Sequence, residues 1–160
     1  MRNISFIVYF FLVASVFVSC QPRCVSTSSE NIPTGGWYMD SVVSLDIPIE
    51  ESQSSTDWIV YVRHTVDYGY QNFWLFLDLQ CPDGTLLTDT VECYLADHRG
   101  RWLGNGWGAL REMPILWQQG FGSLQPGHYT LNVRHGMRTN VLHEISAIGV
   151  EIKKHKDGQK

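Results

Sequence analysis

The sequence has no excess of basic residues. Its 12 Lys and Arg are outnumbered by 16 Asp and Glu, which gives a formal net charge of −4 over 160 residues. A nucleic-acid-binding domain needs a basic face that replaces the counterions of the phosphates. The basic run at 153–156 stands near the C-terminus and is typical of a solvated polar tail. We therefore expect no nucleic-acid partner.

The sequence also lacks the local motifs that mark common catalytic and metal sites. Its 6 His show no metal-ligand spacing, and its 4 Cys contain no C-x-x-C pair, so we expect surface or turn histidines and no metal. There is no G-x-S-x-G, and G-N-G-W-G at 104–108 lacks the context of a dinucleotide fingerprint. Adjacent carboxylates such as Glu50 and Glu51 point apart in a strand. We expect no enzyme activity and no cofactor; a hydrolase would need a His, a carboxylate and a nucleophile brought together from distant positions.

One long apolar segment opens the chain. Residues 4–18 are almost all apolar after a positive start at Arg2, and they are too few to span a bilayer. Phe17 to Cys20, F-V-S-C, resembles a bacterial lipobox. This pattern predicts a lipoprotein signal peptide over 1–19 and a lipid on Cys20; a plain secretory signal cut elsewhere is the alternative. Because no second apolar segment of spanning length follows, we expect a membrane-anchored chain that does not cross the membrane.

The mature chain divides into a polar start and a domain with a period of two. Residues 20–35 are rich in Ser, Thr, Pro and Gly, which predicts a lipidated flexible tether. The domain over 36–154 is followed by a polar tail over 155–160. Alternating apolar residues predict strands, without crossover helices between them, at 41–50, 57–65, 73–81, 88–96, 128–135 and 145–153. Residues 109–119 suit a short helix or a strand. The fold class is therefore all-β, an antiparallel β-sandwich that is jelly-roll-like or immunoglobulin-like.

Three features of the predicted strands are specific enough to test. Pro48 indicates an edge strand, because proline cannot donate to a ladder. The strand at 73–81 is apolar on both faces and looks central and covered on both sides, so the Trp74 and Phe76 face must meet either a loop or a partner. Cys81 and Cys93 fall at different heights of one hairpin, which favours two buried thiols over a disulfide.

Aromatic residues are the remaining candidates for function. Trp102 and Trp107 lie in a Gly-rich segment at 99–112, and Tyr68 and Tyr70 lie in D-Y-G-Y-Q-N. These four residues form the predicted binding surface, an aromatic platform for a sugar or a protein. The alternative is that the tryptophans plug one end of the sandwich.

An ordered set of motifs resembles one family. The lipobox is followed by G-W-Y-M-D-S-V at 36–42, V-R-H-T-x-D-Y-x-Y-x-N at 62–72, C-P-D-G at 81–84, L-T-D-T-V-E-C-Y-L-A-D at 87–97, R-W-L-G-N-G-W-G at 101–108 and I-G-V-E-I-K at 148–153. Together they look like the GldH family of gliding-motility lipoproteins from Bacteroidetes-type bacteria. The resemblance covers nearly the whole mature chain and brings no catalytic residues.

The resemblance implies a non-catalytic, lipid-anchored cell-envelope protein. Its partners would be the membrane and other gliding-motility or type IX secretion envelope proteins. The residues after Cys20 lack the acidic cluster that resembles a surface-export signal, so we expect a chain that faces the periplasm. The alternative function is an envelope glycan- or protein-binding module unrelated to motility.

Overall fold

The computed structural model describes residues 23–156. The predicted signal peptide and Cys20 lie outside these residues. Within them the chain forms strands and no α-helix, and residues 109–119 fall in a strand. The ten strands are β1 (Cys24–Asn31), β2 (Trp37–Tyr38), β3 (Val43–Ile49), β4 (Thr56–Thr65), β5 (Asn72–Gln80), β6 (Leu86–Tyr94), β7 (Leu110–Phe121), β8 (Gly127–His135), β9 (Val141–Leu142) and β10 (Ile145–Lys154).

Eight of these strands form two antiparallel sheets. One sheet has the order β1-β10-β4-β7 and the other has the order β3-β8-β5-β6; the short β2 and β9 pair separately. If β2 and β9 are left out and the eight main strands are numbered 1 to 8 along the chain, the two sheets have the orders 1-8-3-6 and 2-7-4-5. This arrangement is the double Greek key of a jelly roll. An immunoglobulin sandwich would instead place the first, second, fifth and fourth strands in one sheet. The predicted antiparallel sandwich is confirmed, in its jelly-roll form.

The core lies between the inner faces of the two sheets. Alternate residues along each main strand point into it, as the period of two predicts, and most of the alternating apolar residues of β3, β8 and β10 are buried. Fully burying one such aliphatic side chain stabilises the fold by about 1.5–3 kcal/mol. The buried set on these strands is Leu45, Ile47, Ile49, Tyr129, Leu131, Val133, Ile148, Val150 and Ile152.

The predicted tether is wrong for residues 24–31. These residues form β1, which pairs along its length with β10, from Cys24 opposite Lys153 to Asn31 opposite Ala147. Composition misled the prediction because an edge strand is held mainly by main-chain hydrogen bonds, which Ser and Thr make as well as apolar residues do. Ile32 follows in the core with 7% of its surface exposed, so the domain begins at Cys24 and not at residue 36.

The polar tail is also shorter than predicted. The His155 main-chain N–H donates to the Ser55 carbonyl over 3.0 Å. The His155 Nδ1 atom lies 2.6 Å from the Asp57 carboxylate, which also accepts from the Gly120 main-chain N–H at 3.0 Å. Because these bonds tie His155 to β4 and to the end of β7, this residue belongs to the domain.

Strand β5 is central, but it is not covered on both sides. It lies between β8 and β6, as predicted. Its Trp74 and Phe76 side chains remain 37% and 38% exposed on the outer face, so the expectation of a doubly covered strand is wrong. The described part of the chain provides no loop over this face, which leaves the partner alternative open. Pro48 lies in β3 at the edge of the same sheet, as predicted.

The described cysteines are free thiols. Cys93 is buried opposite Phe73 in the β5–β6 hairpin, whereas Cys81 follows the other end of β5 and is partly buried. The interpretation against a disulfide between these two residues is confirmed. Burial raises the pKa of the Cys93 thiol to about 12, so it stays protonated and behaves as a small apolar side chain.

The sandwich has two ends that differ in composition. We call one end the base; it holds Arg23, His155 and the loops at 50–55, 81–85 and 122–126. We call the other end the tip; it holds the loops at 32–36, 39–42, 66–71, 95–109 and 136–140. Strands of 7 to 12 residues connect the ends. At ~3.3 Å per residue the tip lies roughly 25–30 Å from the base.

Candidate interaction site

The four predicted binding residues all lie at the tip, but they do not form one surface. Tyr68 is only 4% exposed, which corrects its assignment to a binding surface. Trp102 is partly buried, and its ring centroid lies 4.8 Å from that of His64. Both side chains therefore fill the end of the core, in agreement with the end-plug alternative.

Tyr70 and Trp107 are the two predicted residues that face solvent. Tyr70 is 49% exposed and meets Tyr68 edge-on, with ring centroids 5.6 Å apart. Trp107 is 93% exposed, so the end-plug alternative does not hold for it. A side chain this apolar and this exposed marks a point where another molecule can bind.

The loop that carries Trp107 is fixed in place by its own main chain. Asn105 and Glu112 exchange main-chain hydrogen bonds of 3.0 and 2.7 Å, which brings the loop back against the start of β7. Gly106 permits this approach, because a Cβ atom there would lie 1.9 Å from the Leu110 carbonyl oxygen. The indole of Trp107 is thus presented from an ordered loop.

Two histidines are buried at the tip, contrary to the expectation of surface or turn positions. His64 is 0% exposed and its Nδ1 atom lies 2.8 Å from the Thr65 carbonyl oxygen. His135 is 2% exposed and its Nε2 atom lies 3.1 Å from the Trp37 carbonyl oxygen. A ring nitrogen that meets a carbonyl oxygen must carry the proton, so the other nitrogen is an acceptor. That second nitrogen has no hydrogen-bond partner within residues 23–156 in either ring.

Burial also sets the protonation state of both rings. It lowers the pKa of His64 and of His135 below the ordinary value of 6.5, against the opposite effect of each carbonyl contact. Arg111 lowers the pKa of His64 further. Both rings are therefore neutral at pH 7, and they act as packing groups of the tip rather than as exposed bases.

Exposed large apolar side chains are concentrated towards the tip. Leu86, Leu87 and Leu116 lie elsewhere on the surface. The others lie in the tip loops, at the strand ends next to them or on the tip half of β5: Tyr38, Met39, Val42, Tyr70, Trp74, Phe76, Tyr94, Trp107 and Leu110. A concentration of exposed apolar side chains at one end of a domain makes that end the candidate interaction surface.

A cleft adjoins this set on the outer face of the second sheet. Its volume is ≈ 500 Å³, and it is lined by Tyr70, Asn72, Trp74, Gly136, Met137 and Arg138. We call it the sheet-face cleft. The apolar second face of β5 was the sequence feature that indicated this surface. It predicted a loop or a partner over Trp74 and Phe76, and both side chains stay exposed within the described residues. Of the four residues of the predicted binding surface, Tyr70 lines this cleft.

The outer face of the first sheet carries a second, more polar depression. It is ≈ 310 Å³ in volume and lies over Gly149, beside Tyr61 and Arg63. Its charged groups are already paired: Arg63 lies 2.6 Å from Glu112, and the Tyr61 hydroxyl donates to Glu151. We therefore assign it no ligand.

Neither a metal centre nor a membrane helix is found in residues 23–156. No group of three or more His, Cys, Asp or Glu side chains in this part of the chain is arranged to hold a metal ion. None of the secondary structure described there is a helix long and apolar enough to span a bilayer.

Comparison with known proteins gives one consistent match. The family model described as GldH lipoprotein matches residues 24–152. A "Gliding motility lipoprotein GldH homolog" of Christiangramia forsetii is 27% identical over 161 residues, covering 96% of this chain and 98% of that protein. A "Gliding motility lipoprotein GldH" of Flavobacterium johnsoniae is 25% identical over 127 residues, covering 79% and 78%.

Similarity to solved structures is much weaker. A tumour necrosis factor structure, "Structure of Eiger TNF from S. frugiperda", overlaps 87% of this chain and 97% of that chain. The TM-score is 0.36 at 11% sequence identity, and no functional conclusion follows from it.

Proposed function

The chain belongs to the GldH lipoprotein family, and we propose that it is a lipid-anchored, non-catalytic assembly component of a gliding-motility machinery. In this proposal the lipid is carried by Cys20, the domain faces the periplasm, and the tip contacts other envelope proteins. The partners are motility or type IX secretion proteins of the same envelope. The role is one of contact and not of turnover.

The observation that carries the proposal is the position of the exposed apolar side chains. The chain enters the domain at Arg23 in the base, whereas Trp107, Tyr38 and Tyr70 are exposed at the tip. A lipid on Cys20 would therefore hold the base near the membrane and direct the tip away from it. Exposed Trp and Tyr side chains are the residue types that most often dominate the energy of a protein interface.

Lipid attachment can be tested with a matched pair of cysteine variants. Cells that express the full chain are labelled with radioactive palmitate, and the protein is recovered and counted. We expect label in the wild type and in Cys24→Ser, and none in Cys20→Ser. Retention of label in Cys20→Ser, or an intact mass showing a free Cys20 thiol, would contradict the proposed anchor.

The motility role can be tested in the bacterium that encodes the chain. We expect deletion of the protein to abolish colony spreading, and the full chain to restore it. The double variant Tyr38→Ala and Trp107→Ala should reach the membrane in normal amount without restoring spreading. The control is Leu116→Ala, which removes a 54% exposed side chain from the outer face of β7 and should restore spreading. Normal spreading of the deletion strain would refute the role.

A further inference from the structure

We propose that the sheet-face cleft is a binding site for an acidic glycan, that is, a sugar chain that carries carboxylates. In the cleft a sugar ring packs on Trp74 and Tyr70, and its carboxylate pairs with Arg138. Its hydroxyl groups face Asn72 in the cleft and Glu92 beside it. This site is separate from the contacts proposed for the loop that carries Trp107.

The first observation is a solvent-exposed apolar floor that is open on one side. Trp74 and Phe76 project from the outer face of β5 and stay 37% and 38% exposed. The neighbouring position on the β8 side is Gly136, whose N–H donates to the Trp74 carbonyl over 2.7 Å. A Cβ atom at Gly136 would lie 3.1 Å from both the Trp74 side chain and the Phe76 ring. Glycine here lets the Phe76 ring pack against the main chain and adds no side chain to the lining of the cleft.

The second observation is an unneutralised cation at the edge of the cleft. Arg134 already pairs with Asp78 at 3.3 Å and lies 5.8 Å from the centre of the Phe76 ring. Arg138 lines the cleft and is exposed, and the ion pairs found within residues 23–156 do not include it. The rim therefore carries a positive charge that complements a carboxylate, and the planar guanidinium can bind it through two hydrogen bonds.

The third observation is a fixed pair of acceptor oxygens next to the cleft, on the β6 side of Trp74. Glu92 is the β6 partner of Trp74 in the strand register. Its two carboxylate oxygens accept from the Asn72 amide at 2.8 Å and from the Tyr94 hydroxyl at 3.2 Å. Each oxygen retains a free lone pair, because a carboxylate has about four acceptor positions. A ligand that places hydroxyl groups here and a carboxylate at Arg138 satisfies both sides.

These features favour a glycan over a protein side chain. A sugar ring offers an apolar C–H face to an exposed aromatic ring and hydroxyl groups along its edge, which matches a cleft with an aromatic floor and fixed polar sides. A neutral sugar would leave Arg138 without a partner. An acidic peptide would use Arg138 but would offer no rigid C–H face to the rings of Trp74 and Tyr70.

The test compares three kinds of polymer with the full chain purified in detergent. Native affinity electrophoresis is run with acidic polysaccharides (polygalacturonate, alginate and hyaluronate), with carboxyl-reduced polygalacturonate, and with polyglutamate. We expect at least one acidic polysaccharide to retard the protein, with an affinity about tenfold or more above that of the other two polymers. Retardation should weaken as salt is raised, because Arg138 is exposed.

Point variants assign the binding to the cleft. We expect Trp74→Ala and Arg138→Ala each to reduce affinity about tenfold or more. The controls are Trp107→Ala, which removes an exposed indole elsewhere at the tip, and Arg99→Ala, which removes an exposed loop cation; both should bind as the wild type does. Arg138 is an exposed loop residue, so its variant stays informative if Trp74→Ala folds poorly.

Several results would overturn the proposal. The proposal is wrong if none of the three acidic polysaccharides retards the protein. Equal retardation by polyglutamate would identify a site for acidic peptides instead, and equal retardation by the carboxyl-reduced polymer would remove the role of Arg138. Wild-type binding by Trp74→Ala and Arg138→Ala would place the ligand elsewhere. None of these results bears on the proposed motility role, which is read from colony spreading.

Discussion

At the scale of single residues, the two buried histidines make the stability of the fold depend on pH. His64 and His135 are neutral in the folded chain, because burial lowers the pKa of each ring below 6.5. In the unfolded chain each ring titrates near pH 6.5. Below that pH the unfolded chain binds more protons than the folded chain, so stability is complete above pH 6.5 and is lost as the pH falls towards the folded values.

We therefore predict a steep loss of stability on acidification. Each histidine should lower the free energy of unfolding by up to about 1.4 kcal/mol per pH unit below 6.5. The measurement is urea unfolding between pH 8 and pH 5. His64→Gln and His135→Gln should each flatten the slope in that range, whereas His128→Gln, which changes an exposed ring, should leave it unchanged. Parallel slopes for all four proteins would contradict this account.

The two tryptophans of the 99–112 segment should respond differently to truncation. Trp102 packs on His64 and the core, so Trp102→Ala should lower the free energy of unfolding by about 2–4 kcal/mol. Trp107 is 93% exposed, so Trp107→Ala should stay within about 0.5 kcal/mol of the wild type. Chemical denaturation of the two variants side by side checks this difference. Similar losses in both would show that Trp107 is packed in solution.

At the scale of elements, hydrophobic alternation predicted the strands that carry the core. The core positions of β3, β8 and β10 could be read from the sequence because apolar residues recur at every second position along each strand. Strand β1 could not, since Cys24–Asn31 is an edge strand of small polar residues held by its ladder to β10. The order of the strands in the sheets could not be predicted either, because pairing partners such as β1 and β10 are far apart in the chain.

The functional surfaces were predicted only in part for a related reason. Period two indicates the face on which a side chain lies, but not whether another element covers that face. Trp74 and Phe76 were recognised as needing a cover, yet only the structure shows that the described residues leave them open. Tyr68 and Trp102 were recognised as aromatic loop residues, but their burial depends on how the loops pack in the fold. Trp102, for example, contacts His64, which is distant from it in sequence.

The edge strand β7 carries features that hinder pairing with other chains. It contains Pro114, and its register against β4 shifts between Trp58 and Ile59, so that Trp117 forms a bulge. Asp89 lies on the inward phase of the neighbouring edge strand β6 and accepts a 2.9 Å hydrogen bond from the Trp117 indole. Proline, bulges and inward charges all discourage the addition of a strand. This protection is consistent with a partner that binds side chains at the tip rather than a sheet edge.

The loop that carries Trp107 depends on one glycine, which gives a prediction at the scale of this element. Gly106→Ala would place a Cβ atom 1.9 Å from the Leu110 carbonyl oxygen, so the loop must move away from β7. We expect faster cleavage of the loop at 95–109 in limited proteolysis, together with a modest fall in stability. Gly69→Ala is the control, because an added carbon there has no atom within 4 Å and this glycine, like Gly106, has no positive φ. Equal cleavage of both variants would show that the close contact does not hold the loop.

At the scale of the whole molecule, β1 determines how much of the chain is needed to fold. Removal of residues 24–31 would leave β10 with an unpaired edge and would expose Ile148, Val150 and Ile152 beside it. We predict that a chain starting at Arg23 unfolds cooperatively, whereas a chain starting at Gly36 is largely unfolded or aggregated. Circular dichroism and thermal melting of the two chains provide the measurement. A folded shorter chain would restore the interpretation of this segment as a tether.

The close approach of the two chain ends has a practical consequence. The Lys154 N–H donates to the Arg23 carbonyl over 2.9 Å, so the first and last strands run out of the sandwich side by side. Only three peptide steps separate Cys20 from Arg23, a reach of at most ~11 Å. A fluorescent protein or affinity handle fused behind the last strand would thus crowd the side on which the proposed lipid is attached and spare the aromatic end, whereas an insertion near Trp107 would do the reverse. Paired fusions at these two places would report separately on anchoring and on partner capture.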